Sequence, residues 1–295
     1  MTLENAGVGM ALLSGNGVVR SVNTRFRDIL GYPHEQVLGK ALISLPGALP
    51  GERLELEQVV AELRENGNNA QFQRRWERAD GELIQAHFNF NAVTAGSGRA
   101  RYFIMVLEDV TEQHFREKRL SWEAAHDPLT GLLNRREFER RLHHAMEGVE
   151  RDNASHVLCF IDLDHFKRIN DEHGHAAGDA LLVGLCELIR HELRDGDVLA
   201  RLGGDEFAVI LHHCPMAVAK EIGERFRAAV EAYRLQWQGA SLSSTVSVGL
   251  VQIIGGHGGG GDLLEVADQA CYGAKRGGRN RVYIASISGA VERQA

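Results

Sequence analysis

The segment Gly203-Gly204-Asp205-Glu206-Phe207 joins two aliphatic runs, Val198-Leu199-Ala200-Arg201-Leu202 and Phe207-Ala208-Val209-Ile210-Leu211. Each run has the content of a strand, and a two-glycine link suits a hairpin turn that needs φ > 0. Such a turn lets a ligand approach the backbone closely, and it sets two carboxylates directly behind the glycines. Five residues alone fit an ordinary hairpin with solvated acids as well as they fit a site of chemistry. The rest of the chain has to decide.

At 295 residues the chain suits one large or two ordinary domains, each with its own core. Acidic residues outnumber basic ones by 40 to 33, which argues against a broad footprint for nucleic acid or anionic lipid. No apolar run has the length of a membrane span, and no signal-peptide pattern opens the sequence. Cys159, Cys186, Cys214 and Cys271 are widely scattered, without a Cys-x-x-Cys pair or zinc spacing, so reduced, mostly buried thiols in a cytoplasmic protein are expected.

The first part, residues 1–112, reads as short strands and helices around a β-rich core. Asn16-Gly17 marks a hairpin between Met10-Ala11-Leu12-Leu13 and Val18-Val19-Arg20-Ser21-Val22, and Asp80-Gly81 marks a second. Phe88, Phe90 and Ala92 then alternate with His87, Asn89 and Asn91, the period of a strand with one buried face. Tyr102 to Leu107 is expected to be a continuous apolar strand. The opening Glu4-Asn5-Ala6-Gly7-Val8-Gly9-Met10, the run Val22-Asn23-Thr24-Arg25-Phe26 leading to Leu30-Gly31-Tyr32, and the closing Asp109-Val110-Thr111-Glu112 resemble a PAS sensory domain. That family binds haem, flavin, small metabolites or nothing, so the resemblance leaves the ligand unknown. His34 and His87 read as surface histidines rather than haem ligands.

From Thr111 to about His126 the chain lacks Gly and Pro, and a connecting helix over 113–126 is expected, stopped by Asp127-Pro128. Phe115, Leu120 and Trp122 could form part of a dimer seam or pack on their own domain. The stretch Gly255-Gly256-His257-Gly258-Gly259-Gly260-Gly261 reads as a flexible loop, with His257 no metal ligand.

Beyond Asp127 amphipathic helices alternate with strands, the pattern of helices layered on a sheet. Val157-Leu158-Cys159-Phe160-Ile161 is an apolar strand ending in Asp162-Leu163-Asp164, whose two carboxylates share one face if the strand continues that far. A helix is expected from near Phe166-Lys167 to Asn170-Asp171. The polar link His173-Gly174-His175-Ala176-Ala177-Gly178-Asp179 follows, then a helix with Leu181, Leu182, Leu185, Leu188 and Ile189 on its core face.

Asp127-Pro128-Leu129-Thr130-Gly131-Leu132-Leu133-Asn134-Arg135, Phe160-Ile161-Asp162-Leu163-Asp164-His165-Phe166-Lys167, the acidic turn, Thr245-Val246-Ser247-Val248-Gly249 and Ala274-Lys275-Arg276-Gly277-Gly278-Arg279-Asn280-Arg281 occur in one order. Residues 127–287 in this respect resemble the GGDEF-domain diguanylate cyclases, with 288–295 as a tail. The resemblance implies an α/β fold with a palm-like cyclase domain behind an α+β PAS domain. It also implies condensation of two GTP into cyclic di-GMP with release of pyrophosphate. Such chemistry needs hard oxygen ligands for Mg²⁺ or Mn²⁺ and neutralised phosphate charge.

By the same resemblance Asp162, the carbonyl of Leu163, Asp205 and Glu206 hold metal, and Asp205, with Glu206 beside it, helps deprotonate the attacking hydroxyl. Asn170 and Asp179 match guanine-holding positions, with His175 between them in sequence. Lys167, Lys275 and Arg279 match phosphate contacts, and Phe166, Gly203 and Gly204 fall within the substrate motifs. Arg194-Asp195-Gly196-Asp197, five residues ahead of the turn, matches the product-inhibition site, where Arg194 and Asp197 would take guanine. One site holding one GTP implies a homodimer. A non-catalytic module binding GTP or cyclic di-GMP is the alternative, and a template-directed polymerase fits the acidic balance poorly. The chain's two ends are those expected of a piece of a longer protein.

Overall fold

The computed structural model describes residues 7–47, 49, 58, 61, 62, 69–94, 100–152, 155–254 and 260–285. The chain divides into two compact units, Met1–Leu120 and Ser121–Ala295.

In the first unit, strands β1 (Gly9–Ser14), β2 (Val19–Val22), β3 (Ala70–Glu77), β4 (Leu83–Thr94) and β5 (Ala100–Asp109) form one antiparallel sheet in the order β2-β1-β5-β4-β3. Both expected hairpins are present, β1–β2 around Asn16-Gly17 and β3–β4 around Asp80-Gly81. Helix α1 (Thr24–Leu30) is capped by Asn23, whose side chain accepts from the N–H of Phe26. Its short successor α2 (His34–Val37) starts behind Pro33. The core is aromatic: Phe26, Trp76, Phe88, Phe90 and Phe103 are buried together. The run Tyr102 to Leu107, expected to be apolar throughout, alternates in fact. Phe103, Met105 and Leu107 are buried while Ile104 and Val106 are half-buried, because only one face of β5 packs on the core.

Helix α3 (Thr111–Glu123) begins two residues before the expected connecting helix and ends three residues short of His126. Phe115, Leu120 and Trp122 are exposed on it.

The second unit is built on a five-stranded sheet in the order β12-β11-β6-β8-β7, with β6 (His156–Asp164) at its centre. Its neighbours β8 (Glu206–Leu211) and β11 (Thr245–Ile253) run antiparallel to it, β7 (Val198–Gly203) pairs antiparallel with β8, and β12 (Arg281–Ile284) pairs parallel with β11. A separate hairpin, β9 (Leu235–Trp237) and β10 (Ala240–Leu242), completes the strands.

Two-residue periodicity assigns the faces of this sheet. On β6, Val157, Cys159, Ile161 and Leu163 belong to the core shared with α5 (Phe166–His173), α6 (His175–His191) and α7 (Met216–Ala232). Leu158 and Phe160 belong to the opposite core, shared with α4 (Arg135–Asp152) and α8 (Gly260–Arg276). The strand persists to Asp164, so Asp162 and Asp164 continue the α4/α8 face. On β8 the same count puts Phe207, Val209 and Leu211 on the first core and Ala208 and Ile210 on the second, which brings Glu206 to the face of Asp162.

Helix α8 lies very close to β11. A Cβ on Gly249 would meet the carbonyl of Ala267 and the amide of Cys271, each at 2.4 Å, so only glycine admits the helix there. This approach carries the C-terminal turn of α8, with Lys275, to the end of β6. Of the glycine-rich stretch expected to be a loop, Gly260 instead starts α8, while residues 255–259, the opening residues 1–6 and the tail 288–295 lie outside the described residues.

Candidate active site

Three carboxylates converge at the C-terminal end of β6. Asp162 and Glu206 are register partners across the β6–β8 pair, and Asp205, in the turn, accepts at its backbone carbonyl from the N–H of Leu163 at 3.3 Å. Strand alternation alone would turn Asp205 and Glu206 apart, but the turn begins at Gly203 (φ 148°) and Gly204 (φ 52°), and its bend frees Asp205 from the pleat. Both acids act electrostatically on Asp162.

Asp162 is buried, and Lys275 bonds its Oδ2 at 2.7 Å. Its acid stands at about 6, raised by burial first and also by Asp205 and Glu206, against the pull of Lys275. The Glu206 carboxyl is likewise raised, by burial first and by Asp268 and Asp205, against the pull of Arg135, whose Nη2 lies 3.6 Å from its Oε2. A cavity of about 240 Å³ beside Glu206 is lined by Arg135, Glu139, Glu265 and Asp268 among others. Raised acids in a cluster mark a place where a cation would be favourable.

Asp162 Oδ1 is buried with no hydrogen-bond partner among the described residues. An orphaned carboxylate oxygen beside two further acids fits a hard divalent cation. Among the described residues no three His, Cys, Asp or Glu side chains form a ready cage. Such a cage is not required, since Mg²⁺ is ordinarily held by one or two carboxylates together with water and substrate phosphate.

The nucleotide-binding candidates lie on α5, α6 and the α8–β12 turn. Lys167 is exposed in the first turn of α5, and His175 and Asp179 are exposed in the first turns of α6. Asn170 sits between them with its Oδ1 buried and without a hydrogen-bond partner among the described residues. Gly178 makes room for it, because a Cβ there would stand 1.9 Å from that oxygen. Phe166 differs from the rest: its ring is buried in the α5/α6/α7 core beneath Gly178, so it supports the site from below rather than offering a polar contact. Gly277 and Gly278 follow the end of α8, as expected, and Arg279 is exposed in the turn with φ 63°.

Arg194 and Asp197 lie apart from the three carboxylates, in the link between α6 and β7. Arg194 Nε stands 3.5 Å from Asp197 Oδ1, which also accepts from the N–H of His212 at 3.1 Å, and Arg194 Nη2 donates to the carbonyl of His212. Asp197 is therefore committed to Arg194 and to the backbone that follows β8, while the exposed Arg194 borders a cleft of about 430 Å³ shared with Arg141 and Arg190.

Sequence reasoning gave no role to several residues that the structure draws in. Arg201 fastens the signature turn to Asp127, Arg135 and Asp268 flank Glu206, and Asp164 binds a separate set of donors described below. Arg201 could have been noticed as a lone cation inside an otherwise aliphatic strand.

Comparison with known proteins identifies the family. The family model described as diguanylate cyclase, GGDEF domain, matches residues 124–281, and the model for the PAS fold matches residues 2–110. Over 284 residues the chain is 33% identical to the probable diguanylate cyclase DgcE of Escherichia coli (strain K12), covering 96% of this chain and 26% of DgcE. Over 163 residues it is 42% identical to the diguanylate cyclase DgcP of Pseudomonas aeruginosa, covering 55% of this chain and 24% of DgcP. The chain thus spans about a quarter of the length of these relatives. Among solved structures, the coiled coil and GGDEF domain of DgcB from Caulobacter crescentus, in complex with c-di-GMP, matches with a TM-score of 0.56 at 32% identity, covering 60% of this chain and 93% of that one. The GGDEF domain of PA1120 (TpbB or YfiN) from Pseudomonas aeruginosa matches with a TM-score of 0.52 at 39% identity, covering 55% and 95%. The chain belongs to the GGDEF-domain diguanylate cyclase family and carries a PAS fold ahead of its GGDEF domain.

Proposed function

We propose that this chain is a diguanylate cyclase that condenses two GTP into cyclic di-GMP and two pyrophosphate. The observation that carries the reading is the convergence of Asp162, Asp205 and Glu206 at one strand end, with an orphaned carboxylate oxygen at its centre and Lys275 at its rim. Asp162, the carbonyl of Leu163, Asp205 and Glu206 would hold Mg²⁺ or Mn²⁺, which supplies charge neutralisation at the phosphates and makes a bound hydroxyl more acidic.

The chain's own residues supply the rest. Asn170 and Asp179 hold the guanine edge, with His175 beside them, and Lys167, Lys275 and Arg279 offset triphosphate charge. Gly203 and Gly204 keep side chains out of the way of the phosphates. Asp205, with Glu206 in support, takes the proton of the 3′-hydroxyl as its oxygen bonds to the α-phosphorus of the other nucleotide and the bond to pyrophosphate breaks. Each nucleotide does this once, so two sites must face each other, and a homodimer follows.

Arg194 and Asp197 are the proposed product site, supported by their position ahead of the turn and by the cationic cleft at Arg194. Product held there would couple to activity by disfavouring the competent dimer. The PAS unit is the proposed regulator. Among the described residues no helix is long and apolar enough to cross a membrane, in keeping with a cytoplasmic site of action.

The test is Asp205→Asn and Glu206→Gln, each checked for intact folding by circular dichroism. Loss of cyclic di-GMP synthesis with GTP binding retained supports these roles. Synthesis at the wild-type rate in both would remove them, and tight nucleotide binding without turnover in the wild type would favour a binding-only module.

A further inference from the structure

The second carboxylate of the β6 end does not face the signature turn. Asp164 Oδ2 accepts from the hydroxyl of Thr245 at 2.6 Å and from the backbone N–H of Asn280 at 3.0 Å, and Oδ1 accepts from the hydroxyl of Ser247 at 2.8 Å. Arg279 Nε lies 4.0 Å from Oδ1, and the Asp164 side chain is only 1% exposed. One buried carboxylate therefore ties together the end of β6, the start of β11 and the turn between α8 and β12.

That turn is an improbable conformation for its residues. Arg279 and Asn280 both have left-handed backbones, at φ 63° and 46°, which L side chains adopt at a cost. It persists because it is held from several sides. The N–H of Arg279 donates to the carbonyl of Ala274, Asn280 Nδ2 donates to Glu231 and its Oδ1 accepts from Arg227, and Asp164 grips the Asn280 N–H from within. Of these anchors only Asp164 is both charged and fully enclosed, where a charge-assisted bond is strongest.

We infer that Asp164 is a positioning residue for triphosphate recognition: its carboxylate locks the Arg279-Asn280 turn so that the Arg279 guanidinium is presented to the phosphates. The inference rests on the GTP reading of the site and adds a residue to it. It also gives the two acids of Asp162-Leu163-Asp164 separate duties, the first toward the reacting centre and the second toward the loop that holds the substrate's charged end.

The test measures two affinities in the folded protein, for a non-hydrolysable GTP analogue and for guanosine, which has the base but no phosphate. Asp164→Asn keeps the volume but exchanges an acceptor for a donor facing donors. It is expected to weaken the analogue about tenfold, the size of one lost charge-assisted contact, and to leave guanosine unchanged. Arg279→Ala should show the same split, with the double variant no weaker than the weaker single one. Unchanged analogue affinity, equal loss for both ligands, or additive losses overturn the inference. Should Asp164→Asn fail to fold, Thr245→Val removes one donor to the same carboxylate and is expected to weaken the analogue less, again sparing guanosine; wild-type affinity for the analogue in that variant contradicts the role. A wild-type protein that binds neither ligand overturns the GTP reading as well, whereas wild-type binding with insensitive variants overturns this inference alone.

Discussion

The guanidinium of Arg201 donates to both carboxylate oxygens of Asp127, at 3.0 and 3.1 Å, while its other nitrogens donate to the carbonyl of Gly204 at 2.9 and 2.7 Å. Asp127 in turn accepts from the N–H and the hydroxyl of Thr130, and the N–H of Arg201 donates to the carbonyl of Leu133. The first loop of the GGDEF domain and its signature turn are thus one hydrogen-bonded unit, so the loop's position sets the turn's.

Asp127 has a carboxyl held below the usual range: burial alone would raise it, but the two bonds from Thr130 and the Arg201 pair outweigh that. A depressed folded value means a stability contribution present above the unfolded value, near pH 4, and lost as pH falls through the folded one. Asp127→Asn is expected to cost about 2–3 kcal/mol at pH 7, the range for breaking a largely buried pair. The deficit relative to the wild type should shrink below pH 4. Urea unfolding at pH 7 and pH 3.5 measures both.

Lys275 is the direct neutraliser of Asp162, whose acid stands at about 6. A raised folded value reverses the sign: the protonated carboxyl fits the fold, and stability is lost as pH rises from the unfolded value near 4 to about 6. Lys275→Met should push that acid higher and widen the window. In protein freed of divalent cations, its stability deficit against the wild type is expected to grow between pH 5 and pH 7.5, reaching about 1–3 kcal/mol. A deficit independent of pH would mean that Lys275 contributes packing rather than charge compensation.

Gly178→Ala adds one methyl group where Asn170 Oδ1 now sits. The amide must turn away, and the proposed guanine contact goes with it. A rise in KM for GTP of about tenfold, with discrimination between GTP and ATP reduced, is the expected result, matching the loss of one or two hydrogen bonds to a base. Unchanged discrimination would place guanine recognition elsewhere.

The four cysteines are free and buried, and burial pushes the thiols of Cys186 and Cys271 up to about 12 and those of Cys159 and Cys214 upward as well. Thiolate is the reactive form. Maleimide at pH 7 is expected to leave the native protein unlabelled and to modify all four thiols after denaturation, counted by intact mass.

Local chemistry made much of this legible. The glycine pair fixed the hairpin, the period of β6 put Asp162 and Asp164 on one face, and Gly277-Gly278 marked the end of α8. What stayed hidden depends on contacts distant in the chain. Nothing near Lys275 shows that it meets Asp162, since that follows from α8 crossing β11 at Gly249. Nothing near Asp164 shows that its partners are Thr245, Ser247 and Asn280 rather than the turn that engages Asp162. The half-exposed face of β5 and the helical Gly260 were likewise decided by what packs against them, which composition does not record.

The most direct measurement of the central claim is incubation of the purified wild-type chain with GTP and Mg²⁺, with cyclic di-GMP quantified by mass spectrometry and pyrophosphate by a coupled assay. The account predicts cyclic di-GMP with two pyrophosphates released per product, and none of either from Asp205→Asn. GTP bound by a folded, dimeric wild-type protein without any cyclic di-GMP would contradict it.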